Sequence, residues 1–260
     1  VLLQKGAWGK FEGDYSVECE LSNPWFNDLV LGNASTSGAG PYTHTYDDSK
    51  TVNAITTELG VDTSTDRVLR LQRSTVRELK ITANLDETVK LNYDMQFGDT
   101  PTSAETTLDA SVVTDDQSTA YTFAAGAILE YPSGTPLAEV QGFDMTMNPN
   151  IKMVYEPNSA KAVNAFKGKL DLTGNFSISV QNNTWWNNVR ARAELASTMR
   201  MKFTNGLSGT NERTIQYTFT GVLLGENTMS VPQDDLITES LPLRFRDVQA
   251  VCTNNTAVPP

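Results

Sequence analysis

The feature that most constrains this chain is a strict two-residue alternation. Val89, Leu91, Tyr93, Met95 and Phe97 are apolar, and Lys90, Asn92, Asp94 and Gln96 stand between them. Successive side chains of a strand point to opposite faces, so such a run makes one greasy face and one wet face. The same rule recurs over residues 15–21, 79–83, 143–147, 151–155, 170–180, 199–203, 215–219 and 241–245. A chain of 260 residues patterned this way has enough length to bury a substantial core. The expected fold class is all-β, a sandwich forming a single domain over residues 1–250, with 251–260 as an extended C-terminal arm.

Few segments break the alternation. Residues 24–30 predict a short helix, with Asn23 as its cap and Pro24 at its first position. Residues 184–196 predict a second. Asn148, Pro149 and Asn150 predict a hairpin turn between the strands on either side. Two polar stretches, 32–66 and 98–118, predict long loops, the first anchored only by Val52, Ile55, Leu59 and Val61.

Composition narrows the chemistry. The formal net charge is −11, which argues against a grip on nucleic acid, since that grip depends on Lys and Arg neutralising phosphates. There is one histidine, His44, and it sits in a polar stretch that predicts an exposed loop position. A histidine-based triad has no other candidate. The ligand spacings of a zinc site are missing, as is a glycine-rich phosphate loop. The acidic pairs Asp47-Asp48, Asp115-Asp116 and Asp234-Asp235 read as solvated loops, because neighbours on a strand face opposite ways. Arg67, Arg70 and Arg73 form the densest cationic stretch and suit pairing with acidic loops of a neighbouring molecule. Cys19 lies in an alternating strand and reads as a buried, reduced thiol; a Cys19–Cys252 disulfide stays open. The expectation is a protein that is no enzyme, with no catalytic, cofactor or metal residues.

The chain also echoes itself. Residues 13–29 and 174–189 both run from a glycine through an alternating strand into an aromatic pair, Trp25-Phe26 and Trp185-Trp186. Ser74-Thr-Val-Arg and Ser197-Thr-Met-Arg then open two further strands, each followed by a hairpin partner. The expectation is an internal pseudo-repeat, with halves at about 11–100 and 140–225.

The order of these segments resembles a known family. A strand over 13–21 leads into the short aromatic helix, then a long loop. The segments 74–82 and 87–98, then 140–150 and 168–180, follow in the same sequence. This pattern resembles the tail tube proteins of long, non-contractile-tailed (siphovirus-like) viruses of bacteria or archaea, over roughly residues 10–250.

The resemblance implies a β-sandwich with a flanking helix, six copies to a ring or three with doubled domains, and rings stacked into a tube. The half-lengths favour six. It implies a virion tail component assembled in the host cytoplasm, with itself, a tape measure and a tail terminator as partners and viral DNA as passing cargo. No membrane partner is expected. A polar, acidic lumen would let DNA slide, because like charges repel. The candidates for that lining are Asn92, Asp94, Gln96, Gln216, Thr218 and Thr220. The candidates for ring stacking lie in or beside the 32–66 loop: Asp47, Asp48, Lys50, Asp62, Arg67 and Arg70. The competing reading is a carbohydrate-binding or adhesin sandwich, with Trp185-Trp186 or Tyr42 and Tyr46 as an aromatic platform.

Overall fold

The alternating segments become two antiparallel sheets that share one core. A computed structural model describes residues 12–22, 24–61, 67–99, 121–123, 127–137, 140–157, 159–180, 184–207, 213–231 and 237–254. Its strands and helices are, in order, β1 (Gly13–Glu20), α1 (Phe26–Val30), β2 (Ala34–Ser37), β3 (Tyr42–Asp47), β4 (Ile55–Val61), β5 (Arg67–Asn84), β6 (Lys90–Phe97), β7 (Ala127–Glu130), β8 (Val140–Asn148), β9 (Lys152–Tyr155) and β10 (Ala162–Phe166). There follow β11 (Asp171–Ser179), α2 (Thr184–Ala191), β12 (Met199–Thr204), β13 (Thr214–Thr220), β14 (Leu223–Leu224), β15 (Thr228–Ser230), β16 (Thr238–Phe245) and β17 (Asp247–Asn254). The larger sheet runs β1-β6-β5-β8-β11-β16-β14, with β15 also on β16 and β4 on β5. The smaller runs β2-β3-β17-β13-β12-β7, and β9 and β10 form a separate ribbon.

The apolar faces of the two sheets meet. Leu79, Ile81, Met95, Met145, Met147 and Phe176 on one side, and Met201, Phe203, Ile215, Tyr217 and Phe219 on the other, are almost wholly buried. Phe143 of β8 packs on Phe203 of β12 with ring centroids 5.8 Å apart, and Phe219 of β13 stacks on Phe245 of β16 at 4.1 Å. Each such side chain contributes roughly 1.5–3 kcal/mol by leaving water. Helix α1 closes one end of this core through Phe26, Leu29 and Val30. Its buried Asn27 is satisfied: Oδ1 accepts from the Tyr217 hydroxyl at 2.8 Å and Nδ2 donates to the Pro24 carbonyl at 2.9 Å. The expected cap, Asn23, lies outside the described residues.

Two predicted hairpins form as expected, β5 with β6 and β12 with β13. Several other expectations are overturned. The 32–66 stretch is not one loop but holds β2, β3 and β4. Its β3 lies between β2 and β17, where neighbours satisfy its backbone. There His44 is fully buried, and its ring nitrogens bridge Thr36 Oγ1 at 2.8 Å and Asn254 Oδ1 at 3.0 Å. The polar strand reads as loop only if that satisfaction is unseen. Residues 148–150 do turn, with Asn148 Oδ1 accepting from the Asn150 amide at 2.9 Å, but they close no hairpin. Strand β8 pairs with β5 and β11, while β9 pairs with β10.

The C-terminal segment is also different from its expectation. Cys252 is buried in β17, a central strand between β3 and β13, and the strand runs through Asn254. Any arm starts beyond it, outside the described residues. Cys252 is a free thiol, and so is Cys19, which is exposed rather than buried. The reason is position: among the described residues β1 has a strand partner on one side only, and the interior-facing side of Cys19 is only partly covered there. Helix α2 stops at Ala191 rather than 196, because Arg192 takes a left-handed φ of 49°. The echo does not extend to sheet placement. Strand β1 pairs with its own hairpin through β6, whereas β11 lies between β8 and β16 and the β12–β13 hairpin belongs to the other sheet.

Candidate assembly surfaces

The sandwich has two outer faces, and the lumen candidates divide between them. On β6, Asn92, Asp94 and Gln96 alternate with the core residues Leu91 and Met95, so they face outward from the larger sheet. On β13, Gln216, Thr218 and Thr220 alternate with Ile215, Tyr217 and Phe219, so they face outward from the smaller sheet. A shared core lies between the two groups, so they point in opposite directions and cannot line one channel together.

The outer face of the larger sheet is the more acidic. Register places Asp14, Ser16, Glu18 and Glu20 of β1 beside Gln96, Asp94, Asn92 and Lys90 of β6. It continues through Glu78 and Lys80 of β5, Asp144 and Thr146 of β8, and Asp171, Thr173 and Asn175 of β11. Some charges are matched within the face, as where Arg77 meets Asp14 at 2.9 Å. Ser16 donates to Asp94. Asp144 is half-buried, and burial pushes its carboxyl above the usual range, only partly opposed by Lys80. The smaller sheet's outer face is mostly Thr and Gln, with Arg200 paired to Glu130.

A second surface is the β4–β5 hairpin. The first part of β5 pairs with β4, and its later part pairs with β6 and β8, so the ribbon continues beyond the sheet. At the join Arg73 takes a φ of 56°, a left-handed conformation uncommon for a side-chain-bearing residue, and its guanidinium donates to the Ala162 carbonyl. Leu71 is 1% exposed and anchors the ribbon. Leu59 and Leu69 stand directly opposite each other, on the same face as Leu71, at 42% and 51% exposure. An apolar stripe therefore leaves the core and runs out along the ribbon uncovered.

The stacking candidates occupy varied places. Arg70 is held within the ribbon by Glu58 at 3.4 Å. Asp47 accepts from Gln249 at 2.8 Å, and Asp48 pairs at 2.6 Å with Lys167, a lysine whose side chain is 2% exposed. These two acids, expected in a solvated loop, are bound to their own chain. Lys50 is exposed between β3 and β4. Arg67 opens β5 opposite Val61, and Asp62 lies outside the described residues. Leu59 and Leu69 were not picked out as contacts by sequence reasoning, which took Leu59 for an anchor. Their alternation with Glu58, Gly60, Val68 and Arg70 was the available signal.

The aromatic platforms of the competing reading are not assembled. Trp185 is 8% exposed and packs edge-on to Phe176 at 5.0 Å, while its neighbour Trp186 faces outward. Tyr46 is fully buried. Among the described residues no group of His, Cys, Asp and Glu could hold a metal ion. No described helix is long and apolar enough to cross a membrane.

An all-β sandwich with an acidic outer face and a projecting ribbon has the features of an assembling structural subunit. Residues 2–245 match the family described as phage tail tube protein, so the chain belongs to that family. No curated protein matches it. Its role is thus that of a structural component of the virion tail, self-assembling into a tube with other tail proteins.

Proposed function

We propose that six copies close into a ring with the outer face of the larger sheet toward the lumen, and that rings stack through the β4–β5 ribbon. Viral DNA passes through the resulting channel. The observation that carries the stacking role is the uncovered Leu59–Leu69 pair, continuous with buried Leu71. A hydrophobic stripe on a two-stranded ribbon is unfavourable in water and gains about 25 cal/mol per Å² when a neighbour covers it. The acidic face supports the lumen role, since a wall that repels phosphate offers no sticky stop. The different placement of the echoed halves favours six equivalent copies over three doubled ones. Assembly with a tape measure and a terminator in the host cytoplasm is the setting this reading implies.

The test is electron microscopy of purified protein, wild type against Leu59→Ser/Leu69→Ser. Wild type should form long tubes. The variant should melt at the wild-type temperature but remain as single rings or free subunits. Tubes of normal length from the folded variant would reject the ribbon as the stacking element.

A further inference from the structure

The base of the projecting β4–β5 ribbon is an uncommon piece of backbone. Ile55 pairs with Ser74 and Thr57 with Leu71, so Gln72 and Arg73 of β5 together stand against the single residue Thr56 of β4. Two residues against one make a β-bulge, which bends and twists the strand that carries it. Arg73 adopts its φ of 56° there, in the left-handed region that a side chain disfavours. From Thr75 onward β5 lies on β6. The bulge is therefore where the ribbon leaves the sheet.

Three chain segments meet at this point. The Gln72 amide donates to the Asp99 carbonyl at 2.8 Å, just past the end of β6. The Ala162 amide of β10 donates to the Gly98 carbonyl at 2.9 Å, and Lys161 pairs with Asp99 at 2.7 Å. The Arg73 guanidinium closes the circuit by donating to the Ala162 carbonyl. Ala162 is almost wholly buried and is a fixed anchor. The approach is tight, since a Cβ on Gly98 would lie 2.4 Å from that of Ala162. Beside it the packing is loose. A cavity of about 170 Å³ lies between Val52 and Ala54, which lead into β4, Met153 and Val163 of the β9–β10 ribbon, and Arg73 itself. Atoms across such a gap lose their dispersion contacts, so the polar link carries the connection there.

We propose that Arg73 is a latch: its bond to Ala162 fixes the direction in which the ribbon projects, so that Leu59 and Leu69 are presented before a neighbouring ring arrives. The latch is a property of the single subunit, while its effect on assembly rests on the stacking reading above. A ribbon free to swing about the bulge must be ordered as it docks, and that ordering weakens binding. The latch makes the ordering part of the fold. It also accounts for the residue type. Glycine or asparagine would fit the left-handed backbone more easily, but neither could reach across to β10.

The experiment follows hydrogen exchange by mass spectrometry on the unassembled full chain, with folding read by thermal melting. Wild type is compared with Arg73→Asn, Arg73→Lys and Gly98→Ala. Asparagine accepts the backbone but cannot reach Ala162, whereas lysine keeps a cationic donor of similar reach. The methyl added at Gly98 displaces Ala162 and so moves the acceptor while Arg73 stays. Exchange over 55–61 and 67–71 should quicken about tenfold or more in Arg73→Asn and Gly98→Ala and stay within about threefold of wild type in Arg73→Lys, with β8 and β13 unchanged. Unchanged ribbon exchange in folded Arg73→Asn overturns the latch. So does quickening spread evenly over the sandwich, or an Arg73→Lys chain that exchanges as fast as Arg73→Asn. If Arg73→Asn fails to fold, Arg73→Gly replaces it under the same criteria. Sedimentation then reads the critical concentration for tubes, which should rise about tenfold in Arg73→Asn. A quickened ribbon with an unchanged critical concentration leaves the latch standing and rejects the ribbon's stacking role instead.

Discussion

Replacing Lys167 by Met tests how the sheet pair is clamped at the α1 end. The Lys167 ammonium donates to the Val30 carbonyl at 2.6 Å and the Leu31 carbonyl at 3.1 Å, and pairs with Asp48 at 2.6 Å. Those carbonyls end α1, where helix geometry leaves acceptors without partners and the dipole favours a cation. Methionine keeps most of the buried stem but removes all three contacts. A hydrogen bond to a charged group is worth about 1.5–3 kcal/mol, partly offset because no ammonium then needs desolvation. The Asp48 side chain is 38% exposed, so water replaces its partner and the ion pair adds less than about 1 kcal/mol. The expected loss is about 3 kcal/mol, a fall in melting temperature of roughly 6–12 °C for a chain of this size. Asp48→Asn keeps an acceptor and should cost under about 1 kcal/mol. The assay is thermal unfolding followed by circular dichroism, at a concentration where subunits are unassembled. A Lys167→Met loss below about 0.5 kcal/mol, or an Asp48→Asn loss equal to it, would refute the helix-end argument.

Two further outcomes follow from burial. In the unassembled native protein Cys19 should react with a maleimide while Cys252, sealed in β17, reacts only on unfolding; burial raises both thiols above their ordinary range, so labelling of Cys19 should accelerate with pH into the alkaline region. Equal labelling of both in the folded state would contradict the β17 placement. Asp144→Asn should stabilise the subunit at neutral pH. The folded carboxyl is raised above its unfolded value, so the native state is penalised once pH passes through the folded value, and the penalty vanishes below the unfolded one. The gain in melting temperature should therefore be present at pH 7 and disappear as pH falls below the ordinary aspartate range; a gain of equal size at low pH would exclude the charge as its cause.

Legibility followed local periodicity. Strands β6, β8, β12 and β13 announce themselves because alternate residues enter a core and the others do not. Strand β3 does not, because its buried row includes His44, a polar side chain made acceptable only by Thr36 and Asn254, the latter 210 residues away. The acidic pair at 47–48 read as solvent-facing for the same reason: its partners, Lys167 just after β10 and Gln249 in β17, are far away in the chain. For the assembly surfaces, the wet faces of β6 and β13 were readable, but not that a common core sets them back to back.

The sequence by itself determined the all-β class, the principal hairpins, the family and the acidic character of the chain. Those are properties of residue type and two-residue spacing, which act over a few positions. Only the tertiary structure decided that residues up to Asn254 complete a central strand, that the echoed strands take different places in the two sheets, and that Leu59 and Leu69 lie uncovered. Each of these depends on which strands become neighbours, and that is set by burying both apolar faces at once, a condition no local window contains.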